Sequence, residues 1–210
     1  YADRGRPEEA LGEFALASRL RPDAVQPYVN ASMVHARRGE TAEAEAALRR
    51  ALAVDPANAA ANLNIGLLLA ETGRNAEAET HLRTALKADP TLARAAYNLS
   101  VLVARDRLAE AITWSRRATD LEPANPRYAY TLAFFLVQGK RGDEAVAVLK
   151  GAVGRRLPYP PLYDLLGRLY EDGGKRDAAR AVYEQAASDE RLPPQARALF
   201  VLRAQRLQER

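Results

Sequence analysis

The strongest constraint on the fold of this chain is a sequence pattern that returns every 34 residues. When residues 59–92 are aligned with residues 25–58, Gly73 falls on Gly39 and Pro90 falls on Pro56. Small and apolar positions between these landmarks coincide at the same shift. A fixed period between about 20 and 50 residues is typical of solenoid folds, in which each repeat packs only against its neighbours. The chain is therefore predicted to be a row of similar units.

The composition of the chain favours helices over strands. Hydrophobic residues make up 48% of the chain and aromatic residues only 7%, and the apolar share is mainly Ala and Leu, which are strong helix formers. Each unit predicts two helices joined by a turn at a glycine such as Gly39 or Gly73, because glycine accepts the positive φ of a helix-ending turn. Asp23, Asn58 and Asn75 are predicted to cap the helices that follow them.

Complete repeats are predicted at residues 25–58, 59–92, 93–125, 126–159 and 160–193, with a partial repeat at 1–24 and a capping helix at 194–210. The partial repeat has its own turn glycine, Gly5. The repeat at 93–125 is one residue short, and we place the missing residue in the turn between Val103 and Ala111, because a packed helix does not tolerate a deletion. The displaced Pro158, within the sequence LPYPP, predicts an irregular junction. The final helix reads equally well as the first helix of a further repeat.

Three positions in each repeat hold small residues, as close packing of two antiparallel helices requires. The sets are Ser32/Ala44/Ala51, Gly66/Ala78/Ala85, Ser100/Ala111/Ala118, Ala133/Ala145/Ala152 and Gly167/Ala179/Ala186. The repeat at 160–193 adds large and turn residues at matching spacing, namely Tyr163, Leu166, Tyr170, Gly174 and Tyr183. This pattern resembles the tetratricopeptide repeat (TPR) family over essentially the whole chain. The resemblance implies an all-α fold, a right-handed superhelical solenoid of antiparallel helix pairs in a single domain.

Few residues of the chain are suited to catalysis or metal binding. The chain has no Cys, which excludes disulfides, thiolate metal sites and thiol nucleophiles. His35 and His81 fall at different positions of their repeats, and neither belongs to a metal-binding motif. No phosphate-binding loop or nucleophile motif is present. The chain is therefore expected to be non-catalytic and to need no cofactor and no metal.

The charge balance and hydropathy of the chain limit its partners. A net charge of +4 arises from 31 basic and 27 acidic residues, and so mixed a balance argues against nucleic acid as a partner. No apolar run reaches about 18 residues, so membrane insertion is not expected. The absence of Cys fits the cytoplasm and the periplasm equally well. Because Tyr1 falls inside a repeat, we expect the chain to be a fragment of a longer protein.

An asparagine recurs on three successive first helices, at Asn30, Asn64 and Asn98. The TPR resemblance implies that the first helices line a concave surface on which peptides of partner proteins lie. Asparagine is a mediocre helix former, but its carboxamide offers a donor and an acceptor to the main chain of an extended peptide. The pattern resembles the asparagine ladder of long TPR superhelices, such as those of the O-linked N-acetylglucosamine transferases. Hydrogen bonding of each asparagine to a neighbouring helix is the alternative.

Arginine and aromatic residues share the orientation predicted for the ladder. Such residues are enriched in interface hot spots, and the guanidinium group suits carboxylates, so a partner with acidic character is expected. A solvated basic face is the alternative. The predicted peptide-binding residues are Asn30, Asn64, Asn98, Arg37, Arg94, Tyr97, Arg105, Arg127, Tyr130 and Phe134.

The sequence thus predicts a protein–protein interaction scaffold that binds an extended peptide or protein segment in its concave groove. Two alternatives stay open. The chain is then either an accessory or docking TPR domain of a larger multidomain enzyme or envelope assembly, or a homo-oligomerisation module that associates through exposed repeat ends.

Overall fold

The structure is a computed structural model that describes residues 6–208. Within this range the chain forms twelve helices and no strand. In chain order they are α1 (Pro7–Leu20), α2 (Val25–Arg37), α3 (Thr41–Val54), α4 (Ala59–Glu71), α5 (Asn75–Ala88), α6 (Ala93–Val103), α7 (Leu108–Leu121), α8 (Pro126–Gln138), α9 (Gly142–Gly154), α10 (Pro160–Asp172), α11 (Arg176–Ser188) and α12 (Pro194–Gln208). The even-numbered helices begin at the predicted repeat starts. The predicted turn glycine Gly5 lies outside the described residues.

The chain divides into two compact units, residues 1–102 (unit 1) and residues 103–210 (unit 2). In unit 1, α2 packs on α3, α3 on α4 and α4 on α5. In unit 2, each helix from α7 to α12 packs on the next one along the chain. The predicted all-α repeat fold of antiparallel helix pairs is therefore confirmed within each unit, whereas a single domain over the whole chain stays a prediction.

The small-residue positions are the closest contacts between paired helices. Ala78 and Ala85 in unit 1 have no exposed surface, and neither do Ala145 and Ala152 in unit 2. Large residues such as Leu82 fill the space beside them and are equally buried. Small side chains let the helix backbones approach closely, and the large ones then complete a densely packed core.

The turns between paired helices use a left-handed residue, as predicted for glycine. The φ values are 74° at Gly39, 78° at Gly73 and 70° at Gly174. In each of these turns the following N–H donates to a carbonyl five residues earlier, as Arg74 does to Leu69 at 2.8 Å. The turn after α8 differs, because Lys140 and not Gly139 takes the positive φ, at 59°.

The shortened repeat loses its residue where the sequence predicts, in a turn. Helix α6 ends at Val103 and α7 begins at Leu108. The Arg107 N–H donates to the Val103 carbonyl, only four residues earlier, at 2.8 Å. No residue from 104 to 107 has a positive φ. The deletion therefore removes the left-handed residue and leaves both helices intact.

Two of the three predicted caps are wrong. Asn58 caps α4, because its side chain accepts a hydrogen bond from the Ala61 N–H at 3.0 Å. The residues before α2 and α5 are instead Ala24 and Arg74, neither with a capping side chain. Asp23 therefore lies one residue too early, and Asn75 is already inside α5.

The two ends of unit 2's last repeat are irregular or incompletely covered. Between α9 and α10, Arg156 has a φ of 53°, which confirms the irregular junction predicted at LPYPP. Helix α12 buries Phe200 against the preceding repeat, and Arg206 forms an ion pair with Glu171 at 3.0 Å. Its other face leaves Leu199 and Leu202 at 47% and 64% exposure, so the predicted capping helix has an apolar outer side.

Candidate peptide-binding site

The three predicted ladder asparagines differ in what their side chains bind. Asn30 accepts a hydrogen bond from Gln26 Nε2 at 2.7 Å, within α2. Asn98 Nδ2 donates to the Arg94 carbonyl at 2.8 Å, within α6. Asn64 is half-buried, and its carboxamide makes no hydrogen bond to any residue between 6 and 208. Asn64 is thus the asparagine whose donor and acceptor are both available to a ligand.

Asn64 lines a cavity of about 200 Å³ in unit 1. The cavity lies where α2, α3, α4 and α6 meet. Its polar lining consists of Asn64, Arg37, Glu71 and Arg94, and its apolar lining includes Met33, Ala36, Leu67 and Leu68. Three of the predicted peptide-binding residues, Asn64, Arg37 and Arg94, therefore share one cavity.

The charges in this cavity differ from those elsewhere in unit 1. Neither Arg94 nor Glu71 forms an ion pair with another residue of the described range. By contrast, Arg74 at the start of α5 lies 2.9 Å from Glu45 and 2.7 Å from Glu77. The hydrogen bonds from Arg74 and then Arg49 hold the pKa of Glu45 below its usual range. Charges on the second helices are thus satisfied within the protein, whereas the cavity offers an open cation and an open anion.

A larger cavity of about 380 Å³ lies between α1, α2 and α3. It contains none of the predicted binding residues. Its lining residue His35 is already engaged, with Nδ1 2.6 Å from Glu40 Oε2. We therefore regard the smaller cavity as the candidate site, because only there do unpartnered polar groups stand beside an apolar wall.

The remaining predicted residues lie in different places. Tyr97 is on α6 in unit 1, beside Asn98 in sequence. Arg105 lies in the turn between α6 and α7, at the start of unit 2, and is exposed. Arg127, Tyr130 and Phe134 lie on one face of α8, also in unit 2. The predicted set is thus divided between the two units.

The aromatic residues on α8 form a cluster with a residue that sequence reasoning missed. The rings of Tyr130 and Phe134 stack, with centroids 6.3 Å apart. Tyr159 meets the Tyr130 ring edge-on at 6.0 Å, and Phe134 keeps 41% of its surface exposed. The proline-flanked LPYPP sequence drew attention to the junction that holds Tyr159 but did not indicate its contact with Tyr130.

Glu71, Met33 and Leu67 were also missed, although the period indicates them. Glu71 stands 34 residues after Arg37, at the same position of the next repeat, and Leu67 stands 34 residues after Met33. The register that selects Arg37 therefore selects Glu71 as well. A search restricted to basic and aromatic residues passed over a carboxylate and an apolar wall.

The two histidines have structural partners. His81 Nδ1 is 2.8 Å from the side-chain oxygen of Asn62, which is buried. Burial holds the pKa of His81 below its ordinary value, and the positive charge of Arg49 acts in the same direction. Within residues 6–208 no three side chains of His, Cys, Asp or Glu cluster in a way that fits a metal ion. In the same range, no helix has the length and apolar character needed to cross a membrane.

Family models described as tetratricopeptide repeat match this chain in three places. One model matches residues 29–93 and 68–126, and a second matches residues 160–188. Together the matches cover more than half of the chain. No curated protein matches the sequence.

Solved structures of repeat proteins resemble the chain over most of its length. YrrB, described as a TPR protein with an unusual peptide-binding site, is 19% identical with a TM-score of 0.72, covering 92% of this chain and 97% of YrrB. PilF from Pseudomonas aeruginosa is 23% identical with a TM-score of 0.76, covering 100% of this chain and 92% of that one. A MamA protein is 23% identical with a TM-score of 0.69, covering 79% and 91% of the two chains. At these identities the likeness establishes the fold.

Proposed function

Because the chain belongs to the tetratricopeptide repeat family, we propose that it is a protein-interaction scaffold whose unit 1 binds an extended peptide or protein segment at the cavity around Asn64. One observation carries this proposal. The Asn64 carboxamide, which has no hydrogen-bond partner in the described part of the chain, lies in the same cavity as Arg94 and an apolar wall. Leaving a half-buried carboxamide unpaired costs stability, so a ligand that satisfies both of its polar groups has a clear advantage.

The chemistry of the cavity suits a main chain as the ligand. The side-chain oxygen of Asn64 accepts from a peptide N–H, and its NH₂ donates to a peptide carbonyl. Such contacts do not depend on the sequence of the ligand. Arg37 and Arg94 add positive charge near the same point, which favours a segment with acidic character.

The other predicted residues have a secondary role in this proposal. Asn30 and Asn98 each keep one polar group available after their contacts within α2 and α6. In unit 2, Arg127 and the cluster of Tyr130, Phe134 and Tyr159 offer an exposed surface of the arginine and aromatic composition typical of interface hot spots. We expect these residues to contact protein segments, each within its own unit.

The experiment selects ligands for the whole chain from random linear peptides displayed on phage. A selected peptide is then titrated calorimetrically into the wild type, Asn64→Ala and the matched control Asn75→Ala, whose exposed asparagine lines neither of the two cavities in unit 1. Losing two hydrogen bonds worth about 0.5–1.5 kcal/mol each should weaken binding to Asn64→Ala roughly tenfold. Asn75→Ala should bind like the wild type. Equal affinity of both variants would contradict the proposal.

Self-association is a second candidate function, and the outer face of α12 favours it. Leu199, Val201 and Leu202 are 47%, 41% and 64% exposed on that helix, and exposed apolar surface promotes association. Light scattering should then show a dimer or larger species that Leu202→Glu dissociates. A wild type that stays monomeric at high concentration removes this candidate.

A further inference from the structure

We propose that the cavity in unit 1 is a pocket for one apolar side chain, aliphatic or aromatic, of the bound segment. This inference rests on the proposed function and adds to it the chemistry of the residue that anchors the ligand. It narrows the partner from any extended segment to one that carries a single large apolar residue where its main chain meets Asn64.

The size of the cavity fits one side chain. Its volume is about 200 Å³, and an apolar protein cavity of about 150 Å³ accommodates a benzene molecule. A side chain the size of Leu, Met or Phe therefore fits, whereas a whole peptide turn does not.

The walls of the cavity are suited to apolar contact. Met33 projects from α2 with 48% of its surface exposed, and Leu67 and Leu68 approach from α4. Methionine is flexible and polarizable, so it adapts to aliphatic and aromatic partners alike. A ligand side chain placed between these walls removes apolar surface from water on both sides.

The position of Asn64 links main-chain recognition to the pocket. Leu67 and Leu68 follow Asn64 by three and four residues on α4, so all three lie on the same face of that helix. A peptide held at Asn64 through its main chain therefore brings a side chain directly to the apolar wall.

The charges around the cavity do not favour a carboxylate inside it. Glu71 lines the cavity together with Arg94, so its negative charge offsets part of the attraction of the guanidinium group. A carboxylate in the pocket also loses its hydration against Met33 and Leu67, which is unfavourable without full compensation. The acidic residues expected in the partner then lie outside the pocket, since successive side chains of an extended chain point to opposite sides.

The test fills the pocket without disturbing the fold. Ala36 lines the cavity and is exposed, so Ala36→Leu reduces the space while leaving the core intact. Ala53→Leu adds the same side chain at an exposed position of α3 that lies outside the cavity. With a peptide selected on the wild type, Ala36→Leu should weaken binding at least about tenfold, whereas Ala53→Leu should not. Thermal melting of both variants verifies that they are folded.

The peptide is varied in parallel. One position should lose about tenfold or more in affinity when a large apolar residue is replaced by Ala, and it should lose more with Asp. Because Ala36→Leu occupies the same space, the effect of the Ala replacement should shrink in that variant.

The outcomes separate this inference from the proposed function. If binding depends on Asn64 but Ala36→Leu binds like the wild type, the pocket is refuted and the peptide-binding function stands. The pocket is refuted in the same way if no single apolar residue of the peptide matters for affinity. If no peptide is selected, or if Asn64→Ala has no effect, the proposed function fails and this inference fails with it.

Discussion

The packing of Gly167 against Tyr183 makes a sharp prediction about unit 2. A Cβ added at Gly167 would lie 2.2 Å from Cε1 and 2.3 Å from Cζ of Tyr183. The ring would have to move by more than about 1 Å to restore ordinary contact. It has little freedom to do so. It is fully buried, stacks on Phe200 with centroids 5.9 Å apart, and donates a hydrogen bond from its hydroxyl to Glu171 at 2.6 Å.

The magnitude follows from two opposing effects. Overpacking a core costs about 1–3 kcal/mol, and the fixed ring places Gly167→Ala at the upper end. Alanine in place of glycine stabilises a helix by about 1 kcal/mol. We therefore expect Gly167→Ala to lower the free energy of unfolding by about 2 kcal/mol. Gly66→Ala is the matched control, because its Cβ would meet the flexible Leu82 side chain at 2.9 Å. Its two effects should nearly cancel.

Combining Gly167→Ala with Tyr183→Leu isolates the contact. The pair then matches Ala133 and Leu149 of the preceding repeat, both fully buried. Gly167→Ala should cost little in the Tyr183→Leu background, so the two substitutions should be strongly non-additive.

Urea denaturation of the four proteins measures this coupling. Far-UV circular dichroism follows the whole chain, and the fluorescence of Trp114, the only tryptophan, reports on unit 2. Coincidence of the two transitions establishes whether two-state values apply. An equal cost of Gly167→Ala in both backgrounds would refute the packing account, as would unchanged stability in the wild-type background.

Further predictions concern stability. Asn58→Ala removes the cap of α4 and should cost about 1 kcal/mol of unfolding free energy in urea denaturation. Gly73→Ala should cost about 1–2 kcal/mol, because its φ of 78° is unfavourable for a residue with a Cβ although the space around it is open. Lys140→Gly at φ 59° should instead stabilise the chain. Burial raises the pKa of Tyr183 from 10 to about 12, so its neutral hydroxyl stabilises the fold fully below pH 10. That contribution is lost between pH 10 and 12, where the wild type should lose stability relative to Tyr183→Phe in urea denaturation at stepped pH.

Helix positions were predictable because one register governs them all. The left-handed turn residue illustrates this. Counting from Gly73 with one residue deleted leads to Lys140 and then to Gly174, the residues that have a positive φ. Residue type alone pointed to Gly139 instead. Period therefore outranks propensity here, because packing between repeats fixes where each helix ends. The caps failed for the same reason, since Asp23 and Asn75 were chosen by residue type.

The candidate site was predictable only in part. The sequence indicates Asn30, Asn64 and Asn98 as equivalent, but their hydrogen bonds make them different. Gln26 stands one helical turn before Asn30 and occupies its acceptor, whereas Ala60 stands at the same distance before Asn64 and offers no side-chain donor. That difference can be read from the sequence. The contact of Asn98 with its own helix depends on a side-chain rotamer, and the division into two units depends on three-dimensional packing, so neither follows from the period.

The most direct test of the binding proposal uses Met33, the only methionine of the chain, which lines the candidate cavity. Labelling methionine with a ¹³C-methyl group places one NMR signal from the repeat array at the site itself. During titration with a selected peptide, the Met33 signal should shift progressively and yield the Kd obtained by calorimetry. The shift should be lost in Asn64→Ala at the same peptide concentration. A Met33 signal that stays unchanged when the wild type is saturated with peptide would show that the segment binds elsewhere.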